Sequence, residues 1–288
     1  MHEIVHINTK YRDDFFNSSS TNFFYKFPKK IKNVLSMRLQ SIDIPNSWYN
    51  ISKKKGNTRF FIVIYKREKI FDETNRIVKK YTIIKKKFEV EIQEGNWSED
   101  NLKKYFNTYF RNKKDLEHIQ FGFNHLRNSV FEKKKDAPSD FKFDLIFSGP
   151  PEFSGPITDQ LGWMLGFRFA RYKNIQREIV SEAQYDKWRL KYVFLSVEDF
   201  QYNRIEKHRI FLDDNTIDKD ILGKIYLDQQ RFYLSILEDF SKGNLKQRDY
   251  LGPVDMSRIK IKLLDERGEV VNLNHMDFSF ALDFTCKG

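Results

Sequence analysis

The sequence predicts a mainly β fold, an antiparallel sandwich interrupted by one short amphipathic helix and long loops. Three observations carry this. Several runs alternate apolar and polar residues at the period of a strand, and β-branched and aromatic residues crowd those runs. No strand–helix–strand rhythm recurs to suggest a parallel sheet. The 288 residues are 40% hydrophobic and 16% aromatic, with 28 Phe and 14 Tyr, which is material for a large core and not the composition of a disordered chain.

Residues 1 to 22 read as an arm, because RDDFFNSSSTN (12 to 22) is a polar run with little periodicity. From Phe23 the text becomes strand-like: Val34, Ser36, Arg38 and Gln40 alternate with Leu35, Met37 and Leu39, and Pro45, which donates no ladder hydrogen bond, ends the run. RFFIVIYK (59 to 66) and YTIIKKKFEVEI (81 to 92) form a hairpin whose long loop carries Asp72, Glu73, Thr74 and Asn75. Ser98 then caps a helix over about 99 to 111. Its first turn holds Glu99 and Asp100, and Leu102, Tyr105, Phe106 and Tyr109 fall on one face.

The stretches FEKKKDAPSDFKFDLIFSGPP and ITDQLGWMLGFRFARY are strand-like text broken by the turn markers Gly149-Pro150 and Gly155-Pro156. KWRLKYVFLSVEDF (187 to 200) reads as a strand, and so does the region of Ile221, Leu222, Ile225 and Tyr226. At the C-terminus Ile259, Ile261 and Leu263 alternate with Arg258, Lys260 and Lys262. Asp265 to Gly268 supplies a turn, and Phe278, Phe280, Leu282 and Phe284 alternate again, as two antiparallel strands. No linker divides the text, so residues 23 to 288 are expected to form one domain, with an inserted subdomain or large loops within 112 to 218.

The 51 Lys and Arg against 40 Asp and Glu give a net charge of +11, which favours an anionic neighbour: nucleic acid, an anionic membrane or an acidic protein. The short basic runs, such as Lys53 to Lys55, Lys85 to Lys87 and Lys133 to Lys135, suit solvated loops and strand ends. The single cysteine, Cys286, excludes an internal disulfide and points to a reducing compartment. The N-terminal residues lack a basic flank followed by an apolar core, and no stretch suits a membrane span, so a soluble, cytosolic product is expected.

The markers of catalysis are missing. Six histidines show no HExxH spacing, and there is no phosphate-cradling GxxxxGK[ST] loop and no GxSxG elbow, so neither a metal site, a cofactor nor an enzyme is expected. The most enzyme-like set is Asp199, Glu206 and Lys207. Its setting in polar text, like that of Asp213, Asp214, Asp218 and Asp220, favours a solvated surface. Arg168, Arg171 and Tyr172, interleaved with Phe167 and Phe169, are candidates for stacking bases while neutralising phosphate. The competing expectation is that Phe167, Phe169 and Tyr172 point inward from a strand and the arginines face water.

Four pieces of text, in order along the chain, carry a resemblance. They are Asn22 to Ser52, closing on Ile44-Pro45-Asn46-Ser47-Trp48-Tyr49-Asn50; Ile92 to Ser98 with Leu102; Leu161-Gly162-Trp163-Met164-Leu165-Gly166-Phe167; and Tyr250-Leu251-Gly252-Pro253-Val254-Asp255, leading to Gly268 and then Asn274 to Phe284. Together they resemble jelly-roll minor capsid and penton-like virion proteins of nucleocytoplasmic large DNA viruses and related smaller DNA viruses. The resemblance implies an antiparallel jelly-roll sandwich that acts in the virion by protein–protein assembly, made in the host cytoplasm. Its implied partners are copies of itself, as in a pentamer, other capsid proteins and the major capsid protein. It also implies fold-making roles: Pro45 and Asn46 turn the chain, Tyr49 and Asn50 close that turn, Gly95 and Ser98 lead into the helix, and Gly162 and Gly166 let backbone approach closely near Phe167. Gly252, Pro253 and Gly268 mark later turns. The alternative is a basic internal virion protein bound to the packaged nucleic acid.

Overall fold

The computed structural model describes residues 1–71, 77–205, 209–212, 215–218, 220–227, 234–238 and 246–288, with side chains described over 1–65, 85–205, 210, 220–227 and 246–288. The hairpin-loop residues Asp72 to Asn75, and Glu206, Lys207, Asp213 and Asp214, lie outside the described residues. In chain order the strands and helices are β1 (His2–Asn8), β2 (Asn22–Pro45), β3 (Arg59–Phe71), β4 (Ile77–Glu91), α1 (Glu99–Arg111), β5 (Ile119–Phe123), β6 (Asn128–Lys133), β7 (Lys142–Ile146), α2 (Leu161–Met164), β8 (Arg171–Ile175), β9 (Glu178–Gln184), β10 (Tyr192–Glu198), β11 (Arg209–Leu212), β12 (Asn215–Asp218), β13 (Ile221–Tyr226), β14 (Leu234–Glu238), β15 (Gln247–Leu264) and β16 (Ser279–Cys286). Among the described residues all the strand pairings are antiparallel, and the fold class is the β-sandwich, jelly-roll type.

The chain divides into two compact units, Met1–Trp48 with Leu190–Gly288, and Tyr49–Arg189. The division corrects the expected boundaries, since the inserted unit begins at residue 49 rather than after 112. Phe60, Ile62 and Ile64 of the strand that starts at Arg59, and Leu102, Phe106 and Phe110 of helix α1, pack into the insertion's own core.

Among the described residues the outer unit holds a seven-stranded sheet of order β1-β16-β2-β15-β10-β13, with β14 also paired to β2, and a separate two-stranded sheet, β11-β12. Its core gathers Ile42, Leu195, Ile225, Ile259, Ile261, Leu282 and Phe284 from five strands. Residues 1 to 22 are not a free arm. HEIVHIN has an alternation of its own: Ile7 is buried, Val5 packs on the core, and the strand pairs with β16 from His2↔Thr285 to Asn8↔Ser279. The Ser/Asn run that follows is held by the Arg12 guanidinium, which donates to Thr9 O, Ser18 Oγ and Asp277 Oδ1 at 2.9, 3.2 and 3.1 Å.

Two details of strand reading also change. In β2, Val34 is fully buried although the alternation placed it with the polar residues. Asn33 adopts a φ of +55° and the pairing with β15 shifts register here, so the period of two slips by one residue. At the C-terminus, β15 and β16 do not pair with each other; both flank β2, which lies between them.

In the inserted unit two sheets, β4-β3-β7-β8 and β5-β6-β9, and α1 share a phenylalanine-rich core. Helix α1 starts where Ser98 Oγ accepts from Asn101 N at 3.2 Å, and it buries Leu102, Phe106 and Phe110. Phe106 meets Phe121 edge to face at 4.9 Å, and Phe147 stacks on Phe167 at 4.8 Å. Such ring pairs each add about 0.5–1.5 kcal/mol to simple burial. The exposed edge of α1 is tied down by Tyr105 and Tyr109, whose hydroxyls donate to the β4 carbonyls of Glu91 and Glu89 at 2.6 and 2.8 Å. The stretch at 161 to 164 is a helical turn rather than strand, because Leu161, Met164 and Leu165 recur at i, i+3 and i+4 and all three are buried.

Candidate assembly surface

The motif residues sit at turns and close approaches. Pro45 is the last residue of β2, opposite Leu234 of β14, and Asn46 is buried just beyond it. In the inserted unit Tyr49 is largely exposed, while Asn50 is buried. Its backbone N–H donates to Asn96 Oδ1 at 2.7 Å and its side-chain amide donates to Lys187 O. Gly95 bonds Ile51 through both backbone groups, at 3.0 and 2.9 Å, with a φ of +146°.

Gly162 and Gly166 allow closer contacts. A Cβ on Gly162 would lie 2.4 Å from Phe147, and one on Gly166, whose φ is +95°, would lie 1.9 Å from Ala183 O. The neighbours that need the space are therefore Phe147 and Ala183. Gly252 and Pro253 lie where β15 loses its regular pairing with β2, and Gly268, at φ +74°, closes the turn from Asp265.

Arg168, Arg171 and Tyr172 of the inserted unit come together, but their polar groups are occupied. Arg168 Nη1 donates to Trp163 O at 2.9 Å, with its guanidinium 4.0 Å from the Trp163 ring centroid. Arg171 Nη2 donates to Pro150 O at 2.6 Å and to the Glu152 carboxylate at 2.8 Å. Tyr172 is buried, and its hydroxyl donates to Glu182 at 2.7 Å while accepting from the N–H groups of Arg168 and Phe169. Burial first, and Glu182 beside it, push this phenol up to about 12. Phe167 points inward, but Phe169 is largely exposed, because residues 166 to 170 form a turn and not the expected strand.

Asp199 overturns the expectation of a solvated acid: it is 1% exposed. Its Oδ2 accepts from Arg248 Nη1 at 2.7 Å and Tyr250 Oη at 2.5 Å, and its Oδ1 from Gln201 N at 3.0 Å and Arg204 Nε at 3.1 Å. Arg248 also donates to Val197 O at 2.6 Å and Asp220 O at 2.9 Å, and Arg204 pairs with the Asp220 carboxylate. Burial alone would push the Asp199 carboxyl up, but Arg248, Tyr250 and the Gln201 N–H hold it below the usual carboxylate range. The buried Tyr250 phenol, facing that carboxylate, is pushed up. Two arginines and two aspartates balance, so the cluster is a clamp between the ends of β10, β13 and β15. Sequence reading missed Arg204 and Arg248 and named Tyr250 only as part of a turn motif, because their partner lies up to 51 residues away; the available sign was an arginine and a tyrosine two apart at the start of a strand.

The clamp rigidifies a surface. Residues after Asp199 pair back onto β15, with Ile205 N donating to Asp249 O at 3.0 Å and Leu251 N to Asn203 O at 2.9 Å. This paired segment presents Tyr202, 98% exposed, with Ile205 and Leu251, to solvent. Tyr11, Phe15, Phe16 and Met276 form a second exposed apolar set around the Arg12-pinned turn. Apolar side chains held outward on braced backbone are suited to protein contacts, because little conformational entropy remains to be lost on docking. Among the described residues no three His, Cys, Asp or Glu side chains converge as metal ligands, and no helix is long and apolar enough to cross a membrane.

No family model and no curated protein matches the chain. Among solved structures, the crystal structure of the selenomethionine-labelled mavirus penton protein is similar over 100% of both chains, with a TM-score of 0.52 at 9% sequence identity. At that identity the likeness is one of fold. The chain thus shares the β fold of that penton protein.

Proposed function

We propose that this protein is a structural virion component, a minor capsid or penton-type subunit of an icosahedral large DNA virus, which works by assembly and not by catalysis. The observation that carries the proposal is the full-length likeness of fold to a penton protein. The braced apolar sets at Tyr202, Ile205 and Leu251 and at Phe15 and Phe16 support it as contact surfaces. Its partners on this reading are copies of itself, in a ring such as a pentamer, and neighbouring shell proteins including the major capsid protein. It is made in the host cytoplasm and retained in the virion.

Two measurements test this. Sedimentation of the purified chain should give a closed homo-oligomer, and proteomic analysis of purified virions should recover the chain in stoichiometric amount. A strict monomer that is also missing from virions would sink the proposal. Replacing Tyr202 and Leu251 together with Ser should shift the oligomer toward monomer while leaving the fold intact.

A further inference from the structure

We propose that the face of the β2-β15-β10-β13 sheet opposite its core binds single-stranded nucleic acid. The strand period assigns this face. Ile259, Ile261 and Leu263 of β15, Val193, Leu195 and Val197 of β10, Phe23 of β2 and Ile225 of β13 turn into the core. Their neighbours therefore turn outward: Phe24 and Lys26 on β2, Arg258, Lys260 and Lys262 on β15, Tyr192 and Phe194 on β10, and Lys224 and Tyr226 on β13. The register confirms that they share one surface, pairing Phe24 with Lys260, Lys26 with Arg258, Phe194 with Lys224 and Tyr192 with Tyr226.

The outward side chains form two aromatic–cation groups. Phe24 lies parallel to Phe200, at 8° and 6.5 Å between centroids, with Lys260 Nζ 4.9 Å from the Phe24 centroid and the Arg258 guanidinium 4.7 Å from that of Phe200. Phe200 is held there at φ +60°, between Asp199 in the clamp and Gln201, whose side-chain amide donates to Asp255 O. In the second group Tyr192 lies 5.4 Å from Phe194 and 6.5 Å from Tyr226, and Lys224 Nζ sits 3.5 Å from the Tyr192 centroid. Tyr226 is 69% and Phe24 46% exposed.

Charge decides the ligand. Among the described residues none of Lys26, Lys224, Arg258, Lys260 and Lys262 forms an ion pair with a carboxylate. The acids near the face are Glu198, opposite Lys260, Asp13, which accepts from Lys26 N, and Asp265 and Glu266, facing Tyr192. Five unpaired cations with five rings, on four strands spanning about 14 Å, suit a ligand that is both anionic and planar. Single-stranded nucleic acid offers phosphates to the cations and bases to stack on the exposed rings, Phe24 and Tyr226. A duplex would keep its bases stacked away from the rings.

The test uses the full chain and a fluorescein-labelled 20-mer of thymidylate, read by anisotropy. Binding should weaken as salt rises. The Arg258→Gln, Lys260→Gln pair should weaken binding and flatten the salt slope by about 0.7 for each phosphate no longer neutralised. Phe24→Ser with Tyr226→Ser should lower affinity by about tenfold or more with the slope unchanged. Lys85→Gln with Lys86→Gln, in the inserted unit, should change neither. Failure of the wild-type chain to bind at low salt would overturn the proposal, as would indifference to loss of the two rings, which would mark a merely electrostatic surface. Photo-crosslinking of 4-thiothymidine oligonucleotides to the unmodified chain gives a check that does not depend on variants folding. Adducts should map to peptides holding Phe24, Tyr192 or Tyr226, and adducts confined elsewhere would dispose of the site.

Discussion

Arg168 and Arg171 in the inserted unit, and Arg258 and Lys260 on the outer unit's sheet, stand in the same kind of text, basic residues interleaved with aromatics, and reach opposite ends. The first two have their charge already engaged: one on a carbonyl and a tryptophan face, the other on a carbonyl and Glu152. The second two share a face with Phe24 and Phe200 and have no acid partner among the described residues. The difference lies in the backbone. A tight turn through Gly166 folds Arg168 back over its own carbonyls, whereas a regular strand pushes every second side chain into water. What matters for function is therefore which charges the fold has already used.

Breaking a used charge should cost stability, and breaking an open one should not. The largest effect is expected at the clamp. Asp199→Ala leaves Arg248 buried without its acid and should lose about 3–5 kcal/mol in chemical denaturation. Because the folded Asp199 carboxyl titrates below its unfolded value near 4, its contribution is complete above about pH 4 and is lost as pH falls further. The wild-type acid-unfolding curve should steepen there, and the Asp199→Asn curve should not.

Next is Tyr172→Phe, which takes the acceptor from the Phe169 N–H and a donor from the exposed Glu182 carboxylate, while the Arg168 N–H keeps Glu182 as its acceptor at 3.0 Å, for a loss of about 1 kcal/mol. The folded phenol titrates at about 12 and the unfolded one near 10. Its contribution is complete below about pH 10 and lost between there and about 12, an alkaline loss that should vanish in the variant. Arg171→Gln, at a partly exposed pair with Glu152, should cost less than about 1 kcal/mol. The smallest effect is expected for Arg258→Gln and Lys260→Gln, within about 0.5 kcal/mol of wild type. A large loss at these two positions would show that they too are structurally committed, and would erase the contrast.

Much of the architecture was legible in the amino-acid pattern. The helix from Glu99 to Arg111 follows from its cap and apolar spacing, and the β3–β4 hairpin and the alternations of β15 and β16 follow from the period of two. The site was less so. Arg168, Arg171 and Tyr172 could be named as basic and aromatic, but not as satisfied, since Glu152, Trp163 and Glu182 reach them only through the folded turn. Phe200 gave no hint of standing beside Phe24, far earlier in the chain, because β10 and β2 are brought onto one face by β15 between them.

The sequence by itself determined the β-rich class, the helix from Glu99 to Arg111, the strands of clean alternation such as β3, β15 and β16, and that the chain is basic and aromatic, because side-chain alternation, capping and turn chemistry act over a few residues. Tertiary structure alone decided the rest. It set the strand order, inserted residues 49 to 189 as a separate core, buried Asp199 between two arginines, and left Arg258 and Lys260 open. Those outcomes depend on pairings between residues tens to hundreds of positions apart, and local pattern carries no record of which strand will lie beside which.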